Sequence, residues 1–126
     1  MKPKKPLDPK TQALKLLARR EHSARELTRK LKARGISDAD AASAVEHATG
    51  ENWQSDTRYA EMLVRTRVAA GYGPVRIAAE LHVSGVPPEQ ARAALEQAEV
   101  DWRALAVEVH AKKFSRPPKS SAERAK

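Results

Sequence analysis

The residues best suited to binding a charged partner are basic side chains at helical spacing near the N-terminus. Arg25, Arg29 and Lys32 are separated by four and three residues. In an α-helix this spacing places the three side chains on one stripe of the surface. Lys15 and Arg19 repeat the four-residue spacing earlier in the chain. Such stripes bind nucleic-acid phosphates or acidic protein surfaces, and they also occur as ordinary solvated helix faces.

A second set of candidate binding residues lies in the middle of the chain. Arg67 follows Leu63 by four residues, which predicts that it lies on an apolar helix face. An arginine there needs a carboxylate or carbonyl partner within the protein, or a contact with another molecule. Arg76 falls in the first turn of a predicted helix, where the helix dipole disfavours a cation. Tyr72 stands between two glycines, which favours an exposed ring.

The residue types of an enzyme or a metal site are present without the spacing that such sites need. The four histidines, at positions 22, 47, 82 and 110, lie too far apart for any to have a helical i+3 or i+4 histidine partner. The chain has no cysteine, which excludes thiolate metal sites and disulfides. The turn at Gly71 lacks the Gly-Lys-Ser/Thr sequence of a phosphate loop. We therefore predict no enzyme, no metal, no cofactor and no small-molecule substrate.

The charge of the chain is distributed in three blocks. The formal net charge is +8, with 12 basic and 3 acidic side chains in residues 1–35, 5 and 11 in residues 36–101, and 7 and 2 in residues 102–126. This pattern favours separate binding surfaces over a uniformly cationic one. The sequence has no apolar run of the roughly 18 residues that a membrane span needs. We predict a cytoplasmic protein without a membrane partner.

Short helices are the elements predicted to position these residues. Alanine supplies 23 of the 126 residues and leucine only 10, which favours thin, closely packed helices. Asp8 is a predicted N-cap, Ser23 and Glu26 form a predicted capping box, and Gly35 is a predicted helix stop. No segment alternates in the manner of a strand. Four residues are predicted to form the apolar side of the first helix: Leu14 and Leu17, flanked by Ala13 and Leu16.

The sequence contains an internal repeat. Residues 23–36 align without a gap with residues 73–86, at an offset of 50. The matched pairs are Leu27 and Ile77, Leu31 and Leu81, Gly35 and Gly85, and Ile36 and Val86. A third unit begins near Trp102, with Leu105 and Val109 on its apolar side. The alternative is a single bundle of six or seven helices with a chance similarity.

We therefore predict an all-α, elongated tandem array of three-helix, helix-turn-helix-like repeats, of which the third is incomplete. A basic flexible tail occupies residues 1–8, the first repeat residues 9–52 and the second residues 53–99. Residues 100–126 form part of a third repeat and a flexible basic end.

This organisation resembles the RecX family, regulators of the RecA recombinase, over about residues 11–114. The first unit carries the resemblance from Ala13 and Leu14 through Glu21, His22 and Ser23 to Leu27, Leu31 and Gly35. The second unit is the more specific match, with Asp56, Arg58, Tyr59, Ala60, Arg67, Tyr72, Arg76, Glu80 and Gly85. Members of the family usually complete a third repeat.

The resemblance implies a protein without catalytic activity of its own that binds RecA and the RecA–DNA filament. It implies that strand exchange, ATP hydrolysis and coprotease activity are restrained, in recombination and the SOS response. The candidate contact residues are Lys15, Arg19, Arg25, Arg29, Lys32, Arg67, Tyr72 and Arg76. Weak nonspecific DNA binding is an accompanying expectation. The competing hypothesis is a stand-alone basic, helical DNA-binding module.

Overall fold

A computed structural model describes residues 8–115, which form seven α-helices. The helices are α1 (Pro9–Arg19), α2 (Ala24–Ala33), α3 (Asp38–Gly50), α4 (Asp56–Ala69), α5 (Pro74–Val83), α6 (Pro88–Gln97) and α7 (Trp102–Ser115). None of residues 8–115 lies in a strand, and the all-α prediction is confirmed. Most of the predicted N-terminal tail and the predicted basic C-terminal end lie outside the described residues. No helix in the described range is both long and apolar enough to cross a membrane.

The helix starts follow the predicted capping residues. The Asp8 side chain accepts a hydrogen bond from the backbone N–H of Lys10, and Ser23 accepts one from Glu26. Ser37 caps α3 in the same way, through the N–H of Asp40. Each cap satisfies a backbone donor that has no partner within its own helix.

Gly35 and Gly85 end the second helix of their respective repeats in the same conformation. Their φ angles are 92° and 82°, in the left-handed region that glycine adopts at little cost. The next residue in each case, Ile36 or Val86, is buried. The predicted correspondence between the two segments is therefore confirmed in the backbone.

Each triplet of helices encloses its own hydrophobic core. The first cluster contains Ala13, Leu16, Leu27, Leu31, Ile36, Ala41, Ala44, Val45 and Ala48. The second contains Tyr59, Ala60, Leu63, Val64, Ile77, Leu81, Val86, Ala91 and Ala94. The first and third helices of each triplet pack closely together, as do the second and third. The structure is therefore a tandem array of three-helix repeats, as predicted.

The prediction for the apolar side of α1 is wrong for Leu14. Its side chain is 44% exposed, whereas Ala13 and Leu16 are buried. Residues 13 and 16 are three apart and share one face, while residue 14 lies about 100° further around the helix. The helix ends at Arg19, because Arg20 is extended.

Helix α7 follows the second repeat and lies near the loop that connects α4 to α5. Leu105 and Val109 line a cleft of about 370 Å³ together with Gly71, Pro74 and Trp102. Val109 comes close enough that a Cβ atom on Gly71 would lie 2.9 Å from it. The predicted apolar side of α7 thus faces this cleft, although Val109 remains partly exposed.

Candidate functional site

The predicted basic stripe lies on the outer face of α2. Arg25, Arg29 and Lys32 are exposed, whereas Leu27 and Leu31 on the other side of the helix are fully buried. The capping bond from Ser23 and the stop at Gly35 fix the length of this helix. The three basic groups therefore share one surface, which we call the basic stripe.

Two members of the basic stripe also make contacts within the protein. Lys32 Nζ lies 3.3 Å from Asp38 Oδ1. Arg25 Nη1 donates a hydrogen bond of 3.4 Å to the carbonyl oxygen of Val83, in the second repeat. Its side chain also packs so closely on Gly85 that a Cβ atom there would lie 2.7 Å from Arg25 Nε. Arg25 thus joins the two repeats in addition to carrying surface charge.

The predicted pair on α1 is separate from the basic stripe. Lys15 and Arg19 are both exposed, one helical turn apart. Within residues 8–115, no hydrogen bond or ion pair connects them to the side chains of the stripe. Their role in binding remains a prediction.

The second predicted set forms one cluster around an aromatic ring. Arg76 Cζ lies 3.9 Å from the centre of the Tyr72 ring, and Arg67 Cζ lies 5.8 Å from it. Both distances are within the range of cation–π attraction. Arg67 Nε also donates a hydrogen bond of 2.6 Å to Glu80 Oε2, and this bond raises the pKa of Arg67. The internal carboxylate partner that the sequence left open for Arg67 is therefore Glu80.

A cleft of about 400 Å³ runs beside this cluster, between the two repeats. Tyr59, Leu63 and Val83 supply apolar lining, while Glu26 closes the cleft from the side of α2. Glu26 Oε1 is buried and accepts no hydrogen bond from the described residues. The reciprocal half of the predicted capping box is thus not made. Glu26 Oε2 instead lies 3.4 Å from Arg20 Nη2.

A polar junction between the repeats contains the residues that the sequence analysis did not single out as contacts. Asp56 Oδ1 accepts a hydrogen bond of 2.9 Å from the N–H of Ala24, so a residue of α4 caps α2. Gln54 Nε2 donates to the carbonyl oxygen of His22 at 3.1 Å and to Asp56 Oδ1 at 2.9 Å. Gln54 and His22 are both buried. Buried polar groups need such partners, so these bonds hold the repeats in one arrangement.

Arg58 extends this junction at its outer side. Its Nε donates a hydrogen bond of 2.9 Å to Glu21 Oε2. Its Nη2 donates hydrogen bonds to the carbonyl oxygens of Asn52 and Trp53. Asp56, Arg58, Glu21 and His22 were among the residues that carried the family resemblance. That resemblance was the only signal in the sequence that pointed to them.

The junction lowers the pKa of His22, which favours the neutral form of its ring. Burial lowers its pKa, and the positive charges of Lys30 and Arg20 act in the same direction. Nδ1 lies 2.9 Å from the carbonyl oxygen of Arg20, so this nitrogen carries the proton. Nε2 lies 3.0 Å from Lys30 Nζ and accepts from it. A proton added at Nε2 would replace this bond by repulsion.

The described residues offer no metal-binding group. Within residues 8–115, no three histidine, aspartate or glutamate side chains come close enough to hold a metal ion. The functional groups described above lie instead on helix surfaces and in the junction between the repeats. This arrangement defines a helical-repeat protein whose candidate site is a binding surface.

Comparison with known proteins assigns the family. Residues 10–47 match the first three-helix domain of RecX, and residues 55–95 match its second three-helix domain. The chain belongs to the RecX family of regulatory proteins. It is 46% identical to the regulatory protein RecX of Stenotrophomonas maltophilia strain R551-3 over 94% of this chain and 73% of that protein. It is also 46% identical to RecX of Chromohalobacter salexigens, over 94% of this chain and 78% of that protein.

Other relatives extend beyond the matched region. RecX of Xanthomonas campestris pv. campestris strain B100 is 46% identical over 84% of this chain, and the match spans 65% of that protein. The crystal structure of RecX from Lactobacillus salivarius has the same fold. Its TM-score is 0.68 at 23% sequence identity, over 88% of this chain and 75% of that one.

Proposed function

We propose that this protein binds RecA and the RecA–DNA filament, and thereby restrains strand exchange, ATP hydrolysis and coprotease activity. Membership of the RecX family supports a regulatory role. The observation that carries the proposal is the combination of a tandem helical array with a basic stripe on its surface. An array of repeats offers an extended surface to a repetitive partner such as a filament.

The eight candidate residues have distinct roles in this proposal. Arg29 is the central contact of the basic stripe, because Arg25 and Lys32 also have partners within the protein. The guanidinium of Arg76 stacks on the Tyr72 ring, and together they offer a contact surface. Arg67, which is paired with Glu80, also lies against this ring. Lys15 and Arg19 add positive charge on α1. The proposed protein has no catalytic activity of its own and acts in the cytoplasm.

The alternative, a stand-alone DNA-binding module, is less well supported by the second repeat. A direct reader of DNA would be expected to repeat its basic helix in each module. The positions of α5 that correspond to Arg25 and Arg29 carry Val75 and Ala79. Weak nonspecific DNA binding through the basic stripe remains part of the proposal, and it should decrease steeply with salt.

The test is co-sedimentation of the full-length protein with RecA filaments on single-stranded DNA, with DNA alone as a second arm. Arg29→Glu should weaken filament binding about tenfold and reduce its dependence on salt, because a charge contact is reversed. Arg65→Glu is the matched control, since Arg65 is an exposed arginine of α4 outside the candidate surfaces. Circular dichroism should show equal helix content in all three proteins.

The functional readout is the DNA-dependent ATPase activity of RecA. The wild-type protein should inhibit it, and Arg29→Glu should require a higher concentration for the same inhibition. An unchanged ATPase rate with saturating wild-type protein would overturn the proposal. Binding to DNA without any preference for the RecA filament would favour the DNA-binding module.

A further inference from the structure

An exposed apolar strip lies on the outer face of α5. Val75, Ala79 and Val83 are spaced four residues apart, and Val75 and Val83 are 83% and 66% exposed. The spacing places the three side chains along one side of the helix. Aliphatic side chains that line up in water form a surface suited to contact with another protein. We call these three residues the apolar strip.

The apolar strip continues into the cleft between the repeats. Ala79 and Val83 line that cleft together with Leu63 and Tyr59. The volume of about 400 Å³ is enough to admit a side chain from outside. The strip thus borders a recess as well as a flat helix face, and an incoming apolar group could bury more of its surface there.

The apolar strip also meets the basic stripe. The hydrogen bond from Arg25 Nη1 to the carbonyl oxygen of Val83 joins the first residue of the basic stripe to the last residue of the apolar strip. Along the two helix axes, the stripe from Arg25 to Lys32 spans about 10 Å and the strip from Val83 to Val75 about 12 Å. Cationic and aliphatic groups therefore form one continuous surface across the junction.

We propose that this continuous surface receives a single protein segment that carries carboxylates opposite the basic stripe and apolar side chains opposite the apolar strip. Charge complementarity selects the acidic end of this segment. The valines favour a protein over nucleic acid as the occupant of the strip, because the charged phosphate backbone offers them no apolar surface. The inference rests on the proposed function and specifies the chemistry of the RecA segment involved.

The decisive variant is the double substitution Val75→Ser and Val83→Ser in the full-length protein. Both positions are exposed, and serine and valine have similar helix propensities, so the fold should be retained. Val107→Ser is the matched control, because Val107 lies in α7 and is 64% exposed. Circular dichroism checks the helix content of each protein.

Binding is measured by co-sedimentation with RecA filaments on single-stranded DNA at two salt concentrations, and by binding to the same DNA without RecA. The double variant should bind the filament about tenfold more weakly at both salt concentrations, since apolar burial is lost and the charges remain. Its binding to DNA alone should equal that of wild type. Val107→Ser should match wild type in both assays.

Four results would overturn the inference. Filament binding by the double variant that equals wild type would leave the proposed function intact and remove the apolar strip from it. Reduced binding to DNA alone would assign the strip to nucleic acid. A dimer of wild type and a monomer of the double variant in sedimentation equilibrium would assign it to a second copy of this chain. Failure of wild type itself to bind the filament would overturn the proposed function and the inference together.

Discussion

The two complete repeats have the same core and different surfaces. Leu27 and Leu31 in the first repeat correspond to Ile77 and Leu81 in the second, and all four are fully buried. On the opposite side of the same helices, the first repeat exposes arginines where the second exposes valine and alanine. The core positions thus specify the three-helix fold, and the outer positions are available for binding.

The entry to the second helix differs in an instructive way. His22 and Ser23 correspond, at the offset of 50, to Tyr72 and Gly73. His22 and Ser23 are buried in the junction, and Ser23 caps its helix. Gly73 provides no side-chain cap, and Tyr72, half-buried against the second core, stacks with Arg76. The same position therefore joins the repeats in one case and forms a candidate binding group in the other.

The largest expected effect tests whether the two cores are equivalent. Leu31→Ala and Leu81→Ala should each lower the free energy of unfolding by about 2–5 kcal/mol, because both remove a fully buried side chain. Urea denaturation followed by circular dichroism measures the loss. Leu14→Ala is the control, since Leu14 is largely exposed and should cost much less. A small loss for only one of the buried leucines would show that the repeats are not equivalent.

Substitution of Gly35 and of Gly85 distinguishes the cost of a left-handed backbone from the cost of disturbing a contact between the repeats. Gly35→Ala should cost about 1–2 kcal/mol, the penalty of a left-handed conformation, since no atom lies within 4 Å of its Cβ position. Gly85→Ala should cost about 1–3 kcal/mol more, because the new Cβ would meet Arg25 Cβ at 2.9 Å. Thermal denaturation of the two variants gives the difference. Equal costs would mean that Arg25 does not pack on Gly85 in solution.

A smaller effect is expected in the polar junction. Asp56→Ala should lower the free energy of unfolding by about 1–2 kcal/mol, because the N–H of Ala24 loses its acceptor. Asp40→Ala is the control, since Asp40 is an exposed carboxylate at the start of α3. Hydrogen exchange of the Ala24 amide should increase in Asp56→Ala alone. Unchanged protection would argue that the junction bond is not formed.

The smallest effect is a pH dependence that arises from His22 in the polar junction. The folded protein lowers the pKa of His22 from its ordinary value of 6.5, so below that pH the unfolded chain binds more protons. Stability should therefore fall as the pH decreases below 6.5. His22→Gln should reduce this slope, whereas His82→Gln, at an exposed position of α5, should retain it. Equal slopes in all three proteins would contradict a buried neutral His22.

Local signals in the sequence were sufficient to predict much of the fold. Asp8, Ser23 and Gly35 mark helix ends through bonds within a few residues, and such bonds follow directly from residue type. The position of Leu14 was mispredicted because several adjacent apolar residues left the inward face of α1 undetermined. Packing against α2 and α3 selects that face.

Contacts between distant parts of the chain could not be predicted in this way. Arg25 was identified from its spacing as a surface charge, but its bond to Val83 spans 58 residues. Asp56 and Ala24 are 32 residues apart, and no local pattern connects them. Arg67, Tyr72 and Arg76 were each identified as candidates on separate grounds, and their contact around the Tyr72 ring was not predicted. The role of these three residues in binding remains a prediction.

The close approach of Arg25 to Gly85 has an evolutionary consequence. A lineage that gains a side chain at position 85 must also shift α2 or the turn at position 85, since Arg25 Cβ would lie 2.9 Å from the new atom. Position 35 has no such neighbour, so an asparagine that tolerates the left-handed conformation is acceptable there. Among related sequences, substitutions at 85 should therefore be rarer than at 35 and should be accompanied by changes around position 25.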